Sequence, residues 1–134
     1  MYKFEAKEDL KPKAKTAGSA GMDVKASHDI VLAPNSHQLV GSGVKMTECT
    51  NGLYMQLIIR SSLRVKGLTD LGTGIIDSDY RDEIKVILKN TTNQEVIIHR
   101  GERIAQLVPT AKVQLPEEFI EYSERTGGFG STGK

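Results

Sequence analysis

Asp77 and Tyr80 are the pair of side chains in this chain whose types and spacing best suit chemistry. They lie within Gly74-Ile75-Ile76-Asp77-Ser78-Asp79-Tyr80-Arg81-Asp82-Glu83-Ile84-Lys85-Val86-Ile87-Leu88, whose two ends are short β-branched, apolar runs that predict strands. The turn between them is dense in Asp and Ser, residues that hydrogen-bond their own backbone. The pattern predicts a tight hairpin with Asp77 at its mouth and Tyr80 at its tip or just past it. A carboxylate and an aromatic ring held that close could grip a small planar molecule and do chemistry beside it. Taken alone, a solvated turn whose Tyr caps a core is the better account of the same residues.

The elements that must position this turn are also short strands. Strands are predicted over 2–6, 29–36, 37–40, 42–46, 53–59, 84–90, 95–98, 104–109 and 112–115. Asn51-Gly52 is a tight-turn dipeptide, and Pro34-Asn35, Lys66-Gly67 and Asn93-Gln94 mark further turns. Residues 11–15 are cationic and broken by Pro12, hence a loop, and 116–120 predict at most one helical turn. Strands recurring about every ten residues with almost no 3.6-residue period argue an all-β sandwich or barrel of jelly-roll type. No internal repeat and no second domain is visible.

At 134 residues the chain suffices for one domain with a modest core. A formal net charge of +1 advertises neither a nucleic-acid nor a membrane partner. The single cysteine, Cys49, excludes an intramolecular disulfide and fits a reducing, cytoplasmic or other intracellular compartment. No apolar run approaches the roughly 20 residues of a membrane-spanning helix, and residues 1–7 lack a signal-peptide core. With no Trp, four Tyr and three Phe, the expected core is mostly Ile, Val and Leu, and so small a β-domain gains by oligomerising.

Two further segments carry candidates. Residues 16–26 bring small residues up to Asp23, which suits a structural acceptor better than a site. The C-terminal Gly127-Gly128-Phe129-Gly130-Ser131-Thr132-Gly133-Lys134 is glycine-rich, with hydroxyls and backbone N–H groups able to wrap a phosphate and one ring able to stack on a base. A flexible end without a role accounts for it too. Its Gly-Lys ending is not a P-loop, because no strand precedes it and no helix follows.

In order along the chain these segments resemble the homotrimeric dUTPases over nearly the whole length. Ser19-Ala20-Gly21-Met22-Asp23-Val24 resembles the family's first motif and Arg60-Ser61-Ser62-Leu63 its second. Gly74-Ile75-Ile76-Asp77-Ser78-Asp79-Tyr80-Arg81 resembles the third, and Gly101-Glu102-Arg103-Ile104-Ala105-Gln106-Leu107 the fourth. Arg125-Thr126-Gly127-Gly128-Phe129-Gly130-Ser131-Thr132-Gly133 resembles the fifth. The third and fifth are the specific ones.

The resemblance implies a jelly-roll domain over 1–124, a lid over 125–134, and a threefold homotrimer whose sites draw on more than one subunit. It implies hydrolysis of dUTP to dUMP and pyrophosphate, which limits uracil in DNA and supplies dUMP. Asp77 would be the general base for the water attacking the α-phosphorus. Tyr80 would pack under the deoxyribose and exclude a 2′-hydroxyl, while main-chain groups around Gly74 and Ile76 read uracil. Arg60, Ser61 and Ser62 would hold phosphates. Asp23 and Gln106 would support the site, partly through waters on a Mg²⁺ ion carried by the substrate phosphates rather than by direct protein ligands. Arg125, Gly130, Ser131 and Thr132 would close on the γ-phosphate as Phe129 stacks on uracil.

Three positions depart from the usual pattern: Ser62 and Asp82 stand where the family usually has Gly, and Met22 where Tyr is frequent. Ser62 also matches the dCTP deaminases of the same fold, whose second motif reads Arg-Ser-Ser-Leu. Their glutamate on the strand after the hairpin aligns with Ile87, which cannot act as a base, and zinc-dependent deamination needs a cysteine pair. A non-catalytic binding module could have lost Asp77, Tyr80 or the tail; this chain has all three. His28, His37 and His99 lack metal-ligand spacing, Cys49 has no activating neighbour in sequence, and residues 117–118 and 11–15 read as solvated charge.

Overall fold

The computed structural model describes residues 1–71 and 74–124. In chain order its strands are β1 (Tyr2–Glu5), β2 (Met22–Lys25), β3 (Ile30–Leu32), β4 (His37–Cys49), β5 (Leu53–Ile59), β6 (Leu68–Asp70), β7 (Ile75–Ile76), β8 (Glu83–Asn90), β9 (Val96–Ile98) and β10 (Arg103–Ala111). A 3-10 turn (Glu8–Leu10) and one short helix, α1 (Ser61–Val65), complete the described elements. One four-stranded sheet has the order β1-β4-β8-β6, a second β2-β10-β5-β7, and β3 pairs with β9 in a two-stranded ribbon. All pairings are antiparallel. This is the all-β jelly-roll fold expected from the sequence.

The period of two in each strand decides what is buried. β8 turns Ile84, Val86 and Leu88 inward and β5 turns Met55, Leu57 and Ile59 to meet them. Val40, Val44 and Met46 of β4 and Ile104, Ala105 and Leu107 of β10 close the same cluster. Asn90, fully buried at the end of β8, organises the following turn. Its amide donates to the carbonyls of Leu32 (3.0 Å) and Gln94 (2.7 Å), and its oxygen accepts from the Thr92 N–H (2.9 Å) and hydroxyl (2.7 Å).

Several sequence expectations are corrected. The expected hairpin is not one: among the described residues β7 pairs only with β5, and β8 with β4 and β6, so residues 77–82 carry the chain from one sheet to the other. Each flanking run finds a partner in a different layer. The separate strands expected over 37–40 and 42–46 form a single strand, because a register shift between Gly41 and Lys45 absorbs the break in pattern. Residues 112–115 are not a strand. The last β10 pair is Ala111 with Leu53, beyond which the Asn51-Gly52 turn ends the ladder. Residues 116–120 form no helical turn; Phe119 and Ile120 are exposed, so no burial offsets helix nucleation. α1, β6 and β2 were not anticipated.

Candidate functional site

Asp77 and Tyr80 are joined by the turn itself, the Tyr80 N–H donating to the Asp77 carbonyl at 3.1 Å. Arg81 tightens it by donating to the carbonyls of Ser78 (2.8 Å) and Tyr80 (3.0 Å). The two side chains line two hollows that share Ile75. Asp77 lines an open hollow of about 530 Å³ with Tyr54, Ser78, Asp79 and Lys112. Tyr80 lines one of about 610 Å³ with Gly74, Ile76, Leu39, Asp82 and Ile87. The Tyr80 hydroxyl donates to the Glu83 carbonyl at 2.8 Å, which fixes the ring against the core. Gly74 is required by close approach: a Cβ there would run into the Leu57 carbonyl, and the Gly74 carbonyl accepts the Leu57 N–H at 2.6 Å.

Asp23, Arg60, Ser61, Ser62 and Gln106 gather elsewhere. Gln106 of β10 sits opposite Asp23 of β2 on one side and Ile58 of β5 on the other. Arg60 follows β5 and donates its N–H to the Ile104 carbonyl at 3.1 Å, with extended backbone leading into α1. Ser61 and Ser62 open that helix and are exposed, whereas Leu63 anchors it in the core. Asp23 faces Arg103 at 3.4 Å. Within this group the Arg60 guanidinium and the two serine hydroxyls are types suited to phosphate oxygens.

These two groups do not meet within one chain. Ile76 pairs with Met55, placing Asp77 beside Tyr54 at the start of β5, while Arg60 lies past its end. At about 3.3 Å per strand residue, roughly 20 Å separates their backbones. Sequence spacing showed neither this division nor the contribution of Tyr54 and Lys112 to the Asp77 hollow, which arises from the pairing of β10 with β5. Arg125, Phe129, Gly130, Ser131 and Thr132 lie outside the described residues.

Among the described residues no three of His, Cys, Asp and Glu gather as a metal-binding set. No described helix is long and apolar enough to cross a membrane. The position aligned with the deaminase glutamate holds Ile87, partly exposed and paired with Leu39, and the nearby Glu83 carboxylate accepts the Gly43 N–H at 2.8 Å.

The dUTPase family profile matches residues 8–133. The deoxyuridine 5'-triphosphate nucleotidohydrolase of Nautilia profundicola is 42% identical over 133 residues, spanning 95% of this chain and 93% of that protein. That of Hydrogenobaculum sp. is 45% identical over 125 residues, spanning 88% and 86%. Among solved structures, the dUTPase from Streptococcus mutans superposes with a TM-score of 0.78 at 31% identity, covering 85% of this chain and 98% of that one. A dUTPase mutant from phage phi11 of S. aureus, whose structure is described as revealing coordination of a structural Mg(II) ion, shares the fold with a TM-score of 0.80 at 19% identity, covering 93% and 99%. With a profile spanning nearly the whole sequence and relatives this similar over most of their length, the chain belongs to the dUTPase family.

Proposed function

We propose that this dUTP diphosphatase works at sites shared between copies of the chain, with Asp77 from one copy and Arg60, Ser61 and Ser62 from another. The observation that carries this reading is the separation of the two groups along β5. A triphosphate engaged at its α-phosphorus by a base and along its chain by a guanidinium cannot span that gap within one subunit. A homotrimer is the assembly the family resemblance implies. Exposed Leu39, Ile58 and Ile75 supply apolar surface for such contacts.

In the chemical step, Asp77 accepts a proton from a water molecule whose oxygen attacks the α-phosphorus. The bond from that phosphorus to the bridging oxygen breaks, giving dUMP and pyrophosphate. Tyr80, its hydroxyl already bonded to Glu83, presents its ring to the deoxyribose and leaves no room for a ribose 2′-hydroxyl. The main chain at Gly74 and Ile76 reads the uracil edge. Arg60 and the two serines offset phosphate charge, and Asp23 and Gln106 support that end.

Mg²⁺ fits this arrangement as an ion carried mainly by substrate phosphates and water, because it retains several waters and needs few protein ligands. Asp23 and Gln106, side by side on β2 and β10, would hold its water shell. When bound, the ion neutralises phosphate charge. Residues 1–124 act as the catalytic domain and 125–134 as its lid, with Arg125, Gly130, Ser131 and Thr132 on the γ-phosphate and Phe129 over the base. A cytoplasmic or other reducing compartment suits the free Cys49.

The test is release of pyrophosphate and of ammonia from dUTP, dCTP, dTTP and UTP with Mg²⁺, on the native protein and on Asp77→Asn. Pyrophosphate from dUTP alone, lost in the variant with dUTP binding retained, is expected. An Asp77→Asn protein that turns over like the native one removes Asp77 from the role of base.

A further inference from the structure

The end of the 77–82 turn is held by an arrangement that the family motifs do not include. β4 and β8 pair in regular register from His37 with Lys89 to Gly41 with Lys85, and resume only at Lys45 with Glu83. β4 therefore bulges over Gly41-Ser42-Gly43-Val44, and the ladder bonds missing there must be replaced. Two side chains replace them. The hydroxyl of Ser42, fully buried, donates to the Ile84 carbonyl at 2.6 Å and accepts the Val44 N–H at 3.2 Å. The carboxylate of Glu83 accepts the Gly43 N–H at 2.8 Å.

The glycines of the bulge are shaped to this bond. Gly43 has φ +71°, which disfavours any side chain. A Cβ on Gly41 would lie 2.5 Å from Oε2 of Glu83. Glu83 is thus clasped through its side chain to the bulge, and its own carbonyl accepts the Tyr80 hydroxyl. One residue joins the bulge to the aromatic ring.

We infer that Glu83 is a positioning residue for Tyr80: by fixing the first residue of β8, it sets the ring's depth in the hollow and with it discrimination between deoxyribose and ribose. This rests on the reading of Tyr80 as the surface under the sugar. Glu83 touches no reacting atom in this scheme and acts through Tyr80.

The experiment measures kcat/KM for dUTP and for UTP in Glu83→Ala, Glu83→Gln, Tyr80→Phe, Tyr80→Ala and the Glu83→Ala/Tyr80→Phe double variant. Glu83→Ala should lower the dUTP:UTP ratio about fivefold to tenfold, whereas Glu83→Gln, which keeps an acceptor oxygen for Gly43, should stay within about twofold of the native ratio. The double variant should be no worse than the worse single one, because both changes break the same chain of contacts. Glu83→Asp, one methylene short, should also lower the ratio and serves if Glu83→Ala does not fold. If Tyr80→Ala shifts the ratio and Glu83→Ala and Glu83→Asp do not, the clasp idea is wrong while the sugar reading stands. An unchanged ratio in Tyr80→Ala removes the sugar reading and this inference with it. Equal losses on both nucleotides, or additive effects in the double variant, would leave Glu83 only a structural part.

Discussion

Arg60 and Asp77 flank β5 from opposite ends, one just past Ile59 and the other beside Tyr54. Both belong to motifs that act on a single nucleotide in the family this chain resembles, yet a strand's length lies between them. On the reading proposed above the site is a property of the assembly, which yields a direct test. Asp77→Asn and Arg60→Ala homotrimers should each be inactive. Unfolded together and refolded as mixed trimers, they should recover about a quarter of native activity, because random association restores both groups at about that share of shared sites. Absence of recovery in verified mixed trimers would argue that each site is made by one chain.

Removal of residues 125–134 tests the lid. Turnover of dUTP should fall at least about a hundredfold, as expected when a closing segment that excludes water and contacts the γ-phosphate is lost. Sedimentation should show the same assembly as the full chain. Undiminished turnover would assign Phe129 and its neighbours no part in catalysis.

Asn90 tests the fold rather than the site. Asn90→Ala leaves the Leu32 and Gln94 carbonyls without their donor and the Thr92 N–H without its acceptor. Loss of such a buried network should cost about 2–3 kcal/mol in urea unfolding. A change below about 0.5 kcal/mol would mean that water replaces the amide without penalty.

The exposed pair of Asp9 and Arg100, 2.6 Å apart, gives a pH signature. The hydrogen bond from Arg100 holds the Asp9 carboxyl below its ordinary value of 3.8. A depressed carboxylate contributes stability that is complete above the unfolded value and is lost as pH falls through the folded one. Asp9→Asn should therefore lower Tm slightly at pH 7, with the difference starting to shrink only once pH falls below about 4 and vanishing below the depressed folded value. High salt should shrink it as well, since the pair is solvent-exposed. A difference that persists unchanged in acid would assign the effect to something other than this charge pair.

Local chemistry made much of the molecule legible. The apolar, β-branched run of residues 84–88 marked β8, while its buried face, Ile84, Val86 and Leu88 against exposed Lys85 and Ile87, came only with the structure. Asn51-Gly52 placed the turn between β4 and β5, with Gly52 at φ +100° as such turns require. Asp77 and Tyr80 drew notice by type and spacing, though alone they suited a solvated turn better, and Arg60 entered only through the family resemblance. These are short-range signals, carried by neighbours along the chain.

What tertiary structure decided are the choices of partner. Nothing local tells β7 to pair with β5 while β8 pairs with β4, so the apparent hairpin became a crossing between sheets. Nothing local tells the Gly41-Ser42-Gly43 bulge to close on Glu83, or Asn90 to reach Leu32 from 58 residues away. Pairing energy belongs to two strands at once, and a buried polar group is satisfied by whichever backbone the fold brings to it. The side chains available for chemistry were therefore set by the sequence, whereas their division between opposite ends of one strand was settled by how the sheets closed.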